Sequence, residues 1–272
     1  MVHTVGIVGV TGNVGKPTTK YLIQAASEGK IKLVIFHREG SKLDGIEASK
    51  NVEQRPINFE DPVEKLEEAV KGINVFISAV GFGALPREPK LVDALSRSAD
   101  LVTYVPSVYS TTWNSKDFAD PRTGPILKFL HGGWERAKEK GVGLTPIYAG
   151  VFDLYFFEVG TLDHLAHSLA NIATSNPSSI ANKSYSVVTF WPTGQELVDL
   201  YTKIHGKPTT IKPWTPEDRE AFMNDAASFG PAKVGYWDKW ESNGFEYERE
   251  GRVVVEGYEG PGLEEVARGF LH

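Results

Sequence analysis

Val5-Gly6-Ile7-Val8-Gly9-Val10-Thr11-Gly12-Asn13-Val14-Gly15-Lys16-Pro17-Thr18-Thr19-Lys20-Tyr21-Leu22 carries more structural information than any other stretch of the chain. Val5 to Val8 is a short apolar run rich in β-branched residues, the pattern of a strand buried on both faces. Glycines follow at 9, 12 and 15, and a helix-compatible segment begins at the last of them. The spacing is a variant of the dinucleotide-binding fingerprint. One glycine makes the tight turn, one lets the backbone approach a pyrophosphate, and one lets the helix pack closely on the strand. The amides of Thr11, Gly12, Asn13 and Val14 are expected to face phosphate oxygens, helped by the positive end of the helix. Many strand-to-helix turns use glycine. The reading is specific because strand, triplet and helix come in the required order.

Outward from this stretch the chain alternates strands and helices. Lys32 to Phe36 reads as a second buried strand, and it delivers Arg38, with Ser41 and Lys42 close behind, to the neighbourhood of an adenosine ribose. An acidic residue there would receive the ribose hydroxyls of NAD, whereas arginine suits the additional phosphate of NADP. A guanidinium can hold a phosphate through two parallel hydrogen bonds, and a nearby ammonium adds charge. Glu39 would oppose this if it turned inward, and a solvated basic loop is the other use of these residues. NADP(H) is the expected cofactor.

Val52 to Asn58 reads as an edge strand that brings Asn58 and Phe59 near the adenine, and Pro62 to Val70 as an amphipathic helix stopped at Gly72. Asn74 to Val80 forms a fourth strand, with Ala79, Val80 and Gly81 at the start of a loop suited to a cofactor ribose. Lys90 to Ala99 is a helix, and Leu101 to Val105 a fifth strand that ends in Pro106, Ser107 and Val108. Trp113 to Gly124 reads as a polar surface loop, Pro125 to Lys140 as a helix interrupted at Gly132-Gly133, and Val142 to Tyr148 as a sixth strand. Gly150 and Phe152 follow that strand on the cofactor side. Further on, Thr161 to Thr174 and Gly194 to His205 are helical, and Tyr185 to Phe190 is a strand. The pattern predicts an α/β fold: a Rossmann-like, doubly wound parallel sheet with a small C-terminal α+β lobe. Residues 1–152 would bind NADP(H), and residues 153–272 would form the substrate lobe. Four of the six tryptophans (191, 214, 237 and 240) fall in that lobe, where they would line a pocket for a flat substrate or simply pack.

Composition sets outer bounds. The chain has 272 residues, 41% hydrophobic and 24% charged, the balance of a soluble globular protein. It contains no run of about 18 apolar residues and no basic apolar leader, so neither a membrane span nor a signal peptide is expected. There are no cysteines, which excludes disulfides and a thiol nucleophile and agrees with a cytoplasmic location. A formal charge of −6 argues against a dedicated nucleic-acid binder. His164 and His167 lie three apart on one helix beside Asp163, but no third convergent ligand accompanies them, so no metal site is expected. A small molecule is the expected partner.

Taken in order, the motifs resemble the NmrA-like and isoflavone-reductase-like proteins, an atypical branch of the short-chain dehydrogenases, and most of all its fungal members. The resemblance covers residues 3 to about 205. It is carried by Gly9-Val-Thr-Gly12-Asn-Val-Gly15, Arg38 with Ser41 and Lys42, Ile77-Ser78, Val105-Pro106-Ser107, Thr145 to Phe152 and Ala181 to Tyr185. It implies an NADPH-binding domain, a substrate cleft under the smaller lobe, and reduction of small aromatic or unsaturated metabolites. Reductases of this kind use a lysine as general acid or anchor, and the matching position is Lys128, which also joins the cofactor-binding set. A solvated helix lysine is the plainer use of that residue.

This sequence also departs from the family. None of the ten tyrosines has a lysine four residues on, so the usual Tyr-x-x-x-Lys pair is missing. Tyr109 stands where the family has phenylalanine and is a second catalytic candidate, since a phenol can donate a proton. Glu88 replaces a common glutamine. His131, three residues after Lys128, could relay a proton. Only Asp153 to Gly160 separate Phe152 from the next helix where relatives carry some dozens of residues, so the pocket is expected to be more open or completed by a second copy in a two-fold homodimer. Two other functions fit the same features: a non-catalytic NADP(H)-binding redox sensor, and a non-redox cyclase or isomerase.

Overall fold

The strands expected around the glycine loop do assemble into one parallel sheet. The structure is a computed structural model that describes residues 2–43, 45–109, 111–149, 151–152, 159–190, 192–241, 253–254 and 257–269. Its first half runs β1 (Thr4–Val8), α1 (Gly15–Ser27), β2 (Lys32–His37), β3 (Val52–Pro56), α2 (Val63–Ala69), β4 (Val75–Ser78), a 3-10 turn (Leu85–Arg87), α3 (Glu88–Leu95) and β5 (Thr103–Val105). The strand order is β3-β2-β1-β4-β5, with every neighbouring pair parallel. The order reverses between β1 and β4, and in open sheets of this kind ligands bind beyond the carboxyl ends of the strands at that point.

Alternation along each strand explains the two layers of helices. Val5, Ile7, Leu33, Ile35, Val75, Ile77 and Val105 face one core, which holds Leu22 and Ala26 of α1. Val8, Val34, Phe36, Phe76 and Tyr104 face the other, with Leu66 of α2 and Leu91, Val92 and Leu95 of α3. Successive side chains point to opposite faces, so a continuous apolar run is what a sheet covered on both sides requires. Gly6 is glycine for lack of room: a Cβ there would lie 2.8 Å from the Phe36 ring.

The second half continues with α4 (Ser115–Ala119), α5 (Thr123–Leu130), α6 (Gly132–Glu139), β6 (Ile147–Tyr148), β7 (Val151–Phe152), β8 (Val159–Gly160) and α7 (Leu162–Thr174). Then come α8 (Pro177–Ile180), β9 (Tyr185–Ser186), α9 (Gly194–His205), α10 (Pro216–Asn224), α11 (Gly230–Glu241), β10 (Val253–Val254) and α12 (Leu263–Gly269). Helix α7 packs on the α1 side through Leu165, Leu169 and Ala173. Among the described residues no helix is long and apolar enough to cross a membrane.

Two local expectations need correcting. The sixth strand is not one unit, because Leu144 bridges Tyr104 beside β5 whereas Ile147 and Tyr148 pair with β9 beyond it. Pro146, which has no N–H to give to a ladder, lies at the break. The stretch 113–124 is not simply a loop: Asn114 accepts from the Lys116 and Asp117 amides at 2.8 and 3.2 Å, and the Asp117 carboxylate accepts the Asn114 amide at 2.8 Å. This reciprocal capping box is sufficient to start α4.

Helices α10 and α11 share an aromatic core in which Trp237 meets Trp214 and Phe222 edge-on, with centroids 4.7 and 5.0 Å apart. They dock on α4 and α5 through Arg122 to Glu220 (3.0 Å), Lys239 to Asp117 (3.4 Å), and Trp113 edge-on to Tyr236 (5.4 Å). The Tyr236 hydroxyl also accepts the Thr111 amide at 3.0 Å.

Candidate active site

Three loops meet at the carboxyl edge of the sheet, and close backbone approach holds them there. Gly9 ends β1 with φ +86°, and a Cβ on it would lie 2.3 Å from the Ala79 carbonyl oxygen. Its own carbonyl accepts the Gly12 amide at 3.0 Å, which closes the turn. At Gly15 a Cβ would come within 2.0 Å of the Gly9 oxygen, so the start of α1 lies directly against the end of β1. The helix has no side-chain cap and no acidic residue in its first turn. Thr11, Gly12 and Asn13 are exposed there and Val14 is half-buried. A helix start of this kind is suited to an anion.

The other loops are tied to this one. The Ala79 amide donates to Val8 at 2.9 Å, and the Ser107 hydroxyl donates to the Val80 carbonyl at 2.7 Å. Gly81 is exposed, while Pro106 and Val108 are buried beneath the loop. At the end of β2 the Ser41 amide donates to Arg38 at 3.0 Å across a turn with Gly40 at φ +75°. This turn gathers Arg38, Ser41 and Lys42 at one exposed corner. Neither cation has an ion-pair partner among the described residues. Asn58 is exposed and its side chain accepts the Glu60 amide at 3.1 Å. Phe59 is packed in the core beneath it. Gly150 lies outside the described residues, and of Phe152 only the backbone, paired in β7, is described.

Lys128 lies in the last turn of α5 and is exposed, without a hydrogen-bond or ion-pair partner among the described residues. The helical break expected at Gly132-Gly133 falls at His131, which ends α5 and starts α6. His131 is buried against Phe118 and Trp134, with ring centroids 5.6 and 5.2 Å away. Burial, with a smaller contribution from Lys138, lowers its pKa to about 4, so the ring is neutral at pH 7. Tyr109 is buried, and its hydroxyl donates to the Ser78 carbonyl. Burial, and secondly the nearby Glu88, push its pKa well above the usual phenol range.

The residue that the sequence reading undervalued is Glu88. It is 0% exposed, accepts the Tyr104 hydroxyl at 2.9 Å through Oε1, and leaves Oε2 without a hydrogen-bond partner among the described residues. A Cβ on Gly133 would lie 2.7 Å from that oxygen. Burial raises the carboxyl pKa, and the polar groups of Ser78, Tyr104 and the Ser107 backbone pull it the other way. Glu88 is therefore a protonatable group directly beneath the loops that follow β4 and β5. Its only sequence signal was a departure from glutamine.

His164 and His167 serve packing. The His164 Nδ1 lies 2.9 Å from the Thr189 hydroxyl and its ring stacks on Tyr258 at 4.4 Å, while His167 meets Tyr21 edge-on. Two surface hollows, of about 350 Å³ beside Tyr201 and about 220 Å³ between α1 and α7, contain none of the expected site residues.

No protein-family model matches the chain. A curated relative, phenylcoumaran benzylic ether reductase from Pyrus communis, is 23% identical over 194 residues, which span 67% of this chain and 61% of that protein. The chain thus spans about three fifths of the length of the curated relative it matches. Among solved structures, isoflavone reductase is similar with a TM-score of 0.76 at 14% identity, covering 99% of this chain and 100% of the other. The leucoanthocyanidin reductase–NADPH complex from Vitis vinifera is similar with a TM-score of 0.71 at 13% identity, covering 99% and 100%. In sequence pattern and in fold, the chain resembles the isoflavone-reductase-like branch of the atypical short-chain dehydrogenases.

Proposed function

We propose that this protein is an NADPH-dependent reductase of a small aromatic or unsaturated metabolite. The observation that carries the reading is the glycine cradle: Gly9 and Gly15 have no room for a Cβ, and the acid-free start of α1 that they shape follows β1, whose neighbour β2 leads into Arg38 and Lys42, two cations with no ion-pair partner among the described residues. In this reading residues 1–152 hold the cofactor and residues 153–272 complete the substrate site.

The amides of residues 11–14 bind the pyrophosphate. Arg38 and Lys42 bind the additional ribose phosphate, and Ser41 adds a hydroxyl donor. Asn58 borders the adenine, and Val80, Gly81 and Ser107 line the nicotinamide side, held by the Ser107 to Val80 hydrogen bond. NADPH, when bound, supplies a hydride; the chain's contribution is to position it and exclude competing reactions. The substrate then needs one proton to balance the hydride. Lys128 supplies it, because its ammonium has no competing partner among the described residues. Tyr109 fixes the loop after β5 instead, since its hydroxyl is committed to a backbone carbonyl. The names of the three relatives given above support this choice of substrate class, since each of those three is a reductase named for an oxygenated aromatic compound.

The test is a screen of phenolic ethers, isoflavonoids and conjugated carbonyl compounds for NADPH oxidation, followed by Lys128→Met on any substrate found. Loss of a positioned general acid lowers kcat by about 10²–10⁴-fold. A Lys128→Met enzyme with unchanged kcat would remove Lys128 from the mechanism. Tight cofactor binding with no turnover across the screen would favour a dinucleotide-sensing regulator instead.

A further inference from the structure

Three phenylalanines from distant parts of the chain meet on the side of the sheet that carries the candidate site. Phe82 belongs to the loop after β4, Phe129 follows Lys128 on α5, and Phe229 lies between the short 3-10 turn Ala226–Ser228 and α11. Phe82 and Phe229 stack with centroids 5.1 Å apart and planes 25° apart, and Phe229 meets Phe129 at 6.2 Å and 41°. The cluster is not core: Phe82 is 60% exposed and Phe129 37%.

Phe229 is held in place by its surroundings. Its φ of +58° is one that bulky L residues rarely adopt, and such a conformation persists only where the surrounding structure over-determines it. Here the Phe229 amide donates to Ala226 at 3.1 Å and the Gly230 amide to Asp225 at 2.9 Å. Gly230 itself has no space for a Cβ, which would lie 1.9 Å from the Phe222 carbonyl oxygen. The docking of α11 on α5 then sets the ring against two others that project into solvent. The result is a rigid, outward-facing aromatic surface that spans from the loop after β4 to the Lys128 turn.

We propose that Phe82, Phe129 and Phe229 form the subsite that selects the substrate by stacking against a flat aryl ring, with Phe229 as the specificity-determining residue. The term substrate rests on the reductase reading above; the aromatic site does not. Aryl rings favour offset or tilted contacts with centroids 4.5–7 Å apart, and such contacts add to the benefit of area burial. A saturated ring of the same shape buries the same area without that addition. An occupant here would touch both the loop that borders the nicotinamide and the helix turn that carries the proton donor, as a reductase of aromatic compounds requires.

The experiment uses 2-naphthol as probe, titrated by its fluorescence into the full-length protein with and without NADPH, with decahydro-2-naphthol as the saturated competitor. Saturable naphthol binding is expected, with the competitor about fivefold weaker or worse. Phe229→Leu and Phe129→Leu should each weaken naphthol by about five- to tenfold and leave the NADPH dissociation constant within about twofold. Phe129 is on the outside of α5, so that variant keeps its fold even if Phe229→Leu does not. Absence of naphthol binding, equal affinity for the saturated alcohol, or unchanged naphthol affinity in folded Phe129→Leu overturns the subsite. If wild type binds naphthol but not NADPH, the reductase reading falls and the subsite stands.

Discussion

The turn at residues 9–15 and the surface around Lys128 are the two halves of the candidate site, and they are built in opposite ways. The first is almost entirely backbone. Gly9 and Gly15 are fixed by atoms within a few residues or on the adjacent strand, and side chains there would collide with main chain. The second is assembled from side chains that come together only through tertiary packing: Phe82, Phe129 and Phe229 from three elements, and separately the buried Glu88 with Tyr104 and Ser78. A backbone site tolerates almost no substitution, and in the proposed reading it leaves the choice between cofactors with and without the extra phosphate to Arg38 and Lys42. A side-chain site can change its substrate without disturbing the fold.

That contrast fails if the glycine turn accepts a side chain. Gly15→Val places a Cβ against the Gly9 carbonyl, 2.0 Å away, and neither partner is a flexible side chain. The expected cost is about 2–3 kcal/mol in urea unfolding, the scale of overpacking a tight site, with NADPH binding lost. A Gly15→Val protein of wild-type stability and affinity would show that the turn is not under this constraint.

The buried polar group under the second half gives a sharper distinction through pH. The Glu88 pKa is raised in the folded state, so its favourable contribution is complete below the ordinary glutamate range and is lost as pH rises through the folded value. Glu88→Gln stays neutral at every pH. Its stability relative to wild type should therefore improve as pH rises above the ordinary glutamate range. His131 acts in the other direction: its pKa of about 4 makes both proteins lose stability as pH falls from 6.5 towards 4, and the difference between them cancels that shared slope. Parallel stability profiles for the two proteins would mean that Glu88 is not strained by its burial.

The smallest effect is expected at Lys128. The residue is exposed and has no ion-pair partner among the described residues, so Lys128→Met should melt within about 2 °C of wild type while losing activity. A large drop in melting temperature would make Lys128 a structural residue and weaken its proposed chemical role.

The same contrast explains what could be read from the residues alone. Strands β1, β2, β4 and β5 were legible because both faces are covered, which leaves uninterrupted runs such as Lys32 to Phe36. The break at His131 was legible within a residue because Gly132-Gly133 interrupts the helical pattern. The split of residues 142–148 between two partners was not, since the pairing of Tyr148 with Ser186 depends on a strand 38 residues further on. The commitment of Tyr109 to the Ser78 carbonyl, and the meeting of Phe229 with Phe82, leave no mark in local periodicity either. Residue types named Tyr109 as a candidate, and only packing showed how its hydroxyl is used. Glu88 is the clearest loss: in the sequence it stood out only as a departure from glutamine, and only the tertiary fold puts Tyr104 and Gly133 around it.

The most direct measurement is calorimetric titration of NADPH, NADP+ and NADH into the wild-type protein and Arg38→Ala. The account predicts that both phosphorylated cofactors bind more tightly than NADH. It also predicts that Arg38→Ala weakens NADPH and NADP+ by about 1.5–3 kcal/mol, the scale of a charged hydrogen bond, while leaving NADH unchanged. Absence of dinucleotide binding, or NADPH binding that ignores Arg38 and matches NADH, would contradict it.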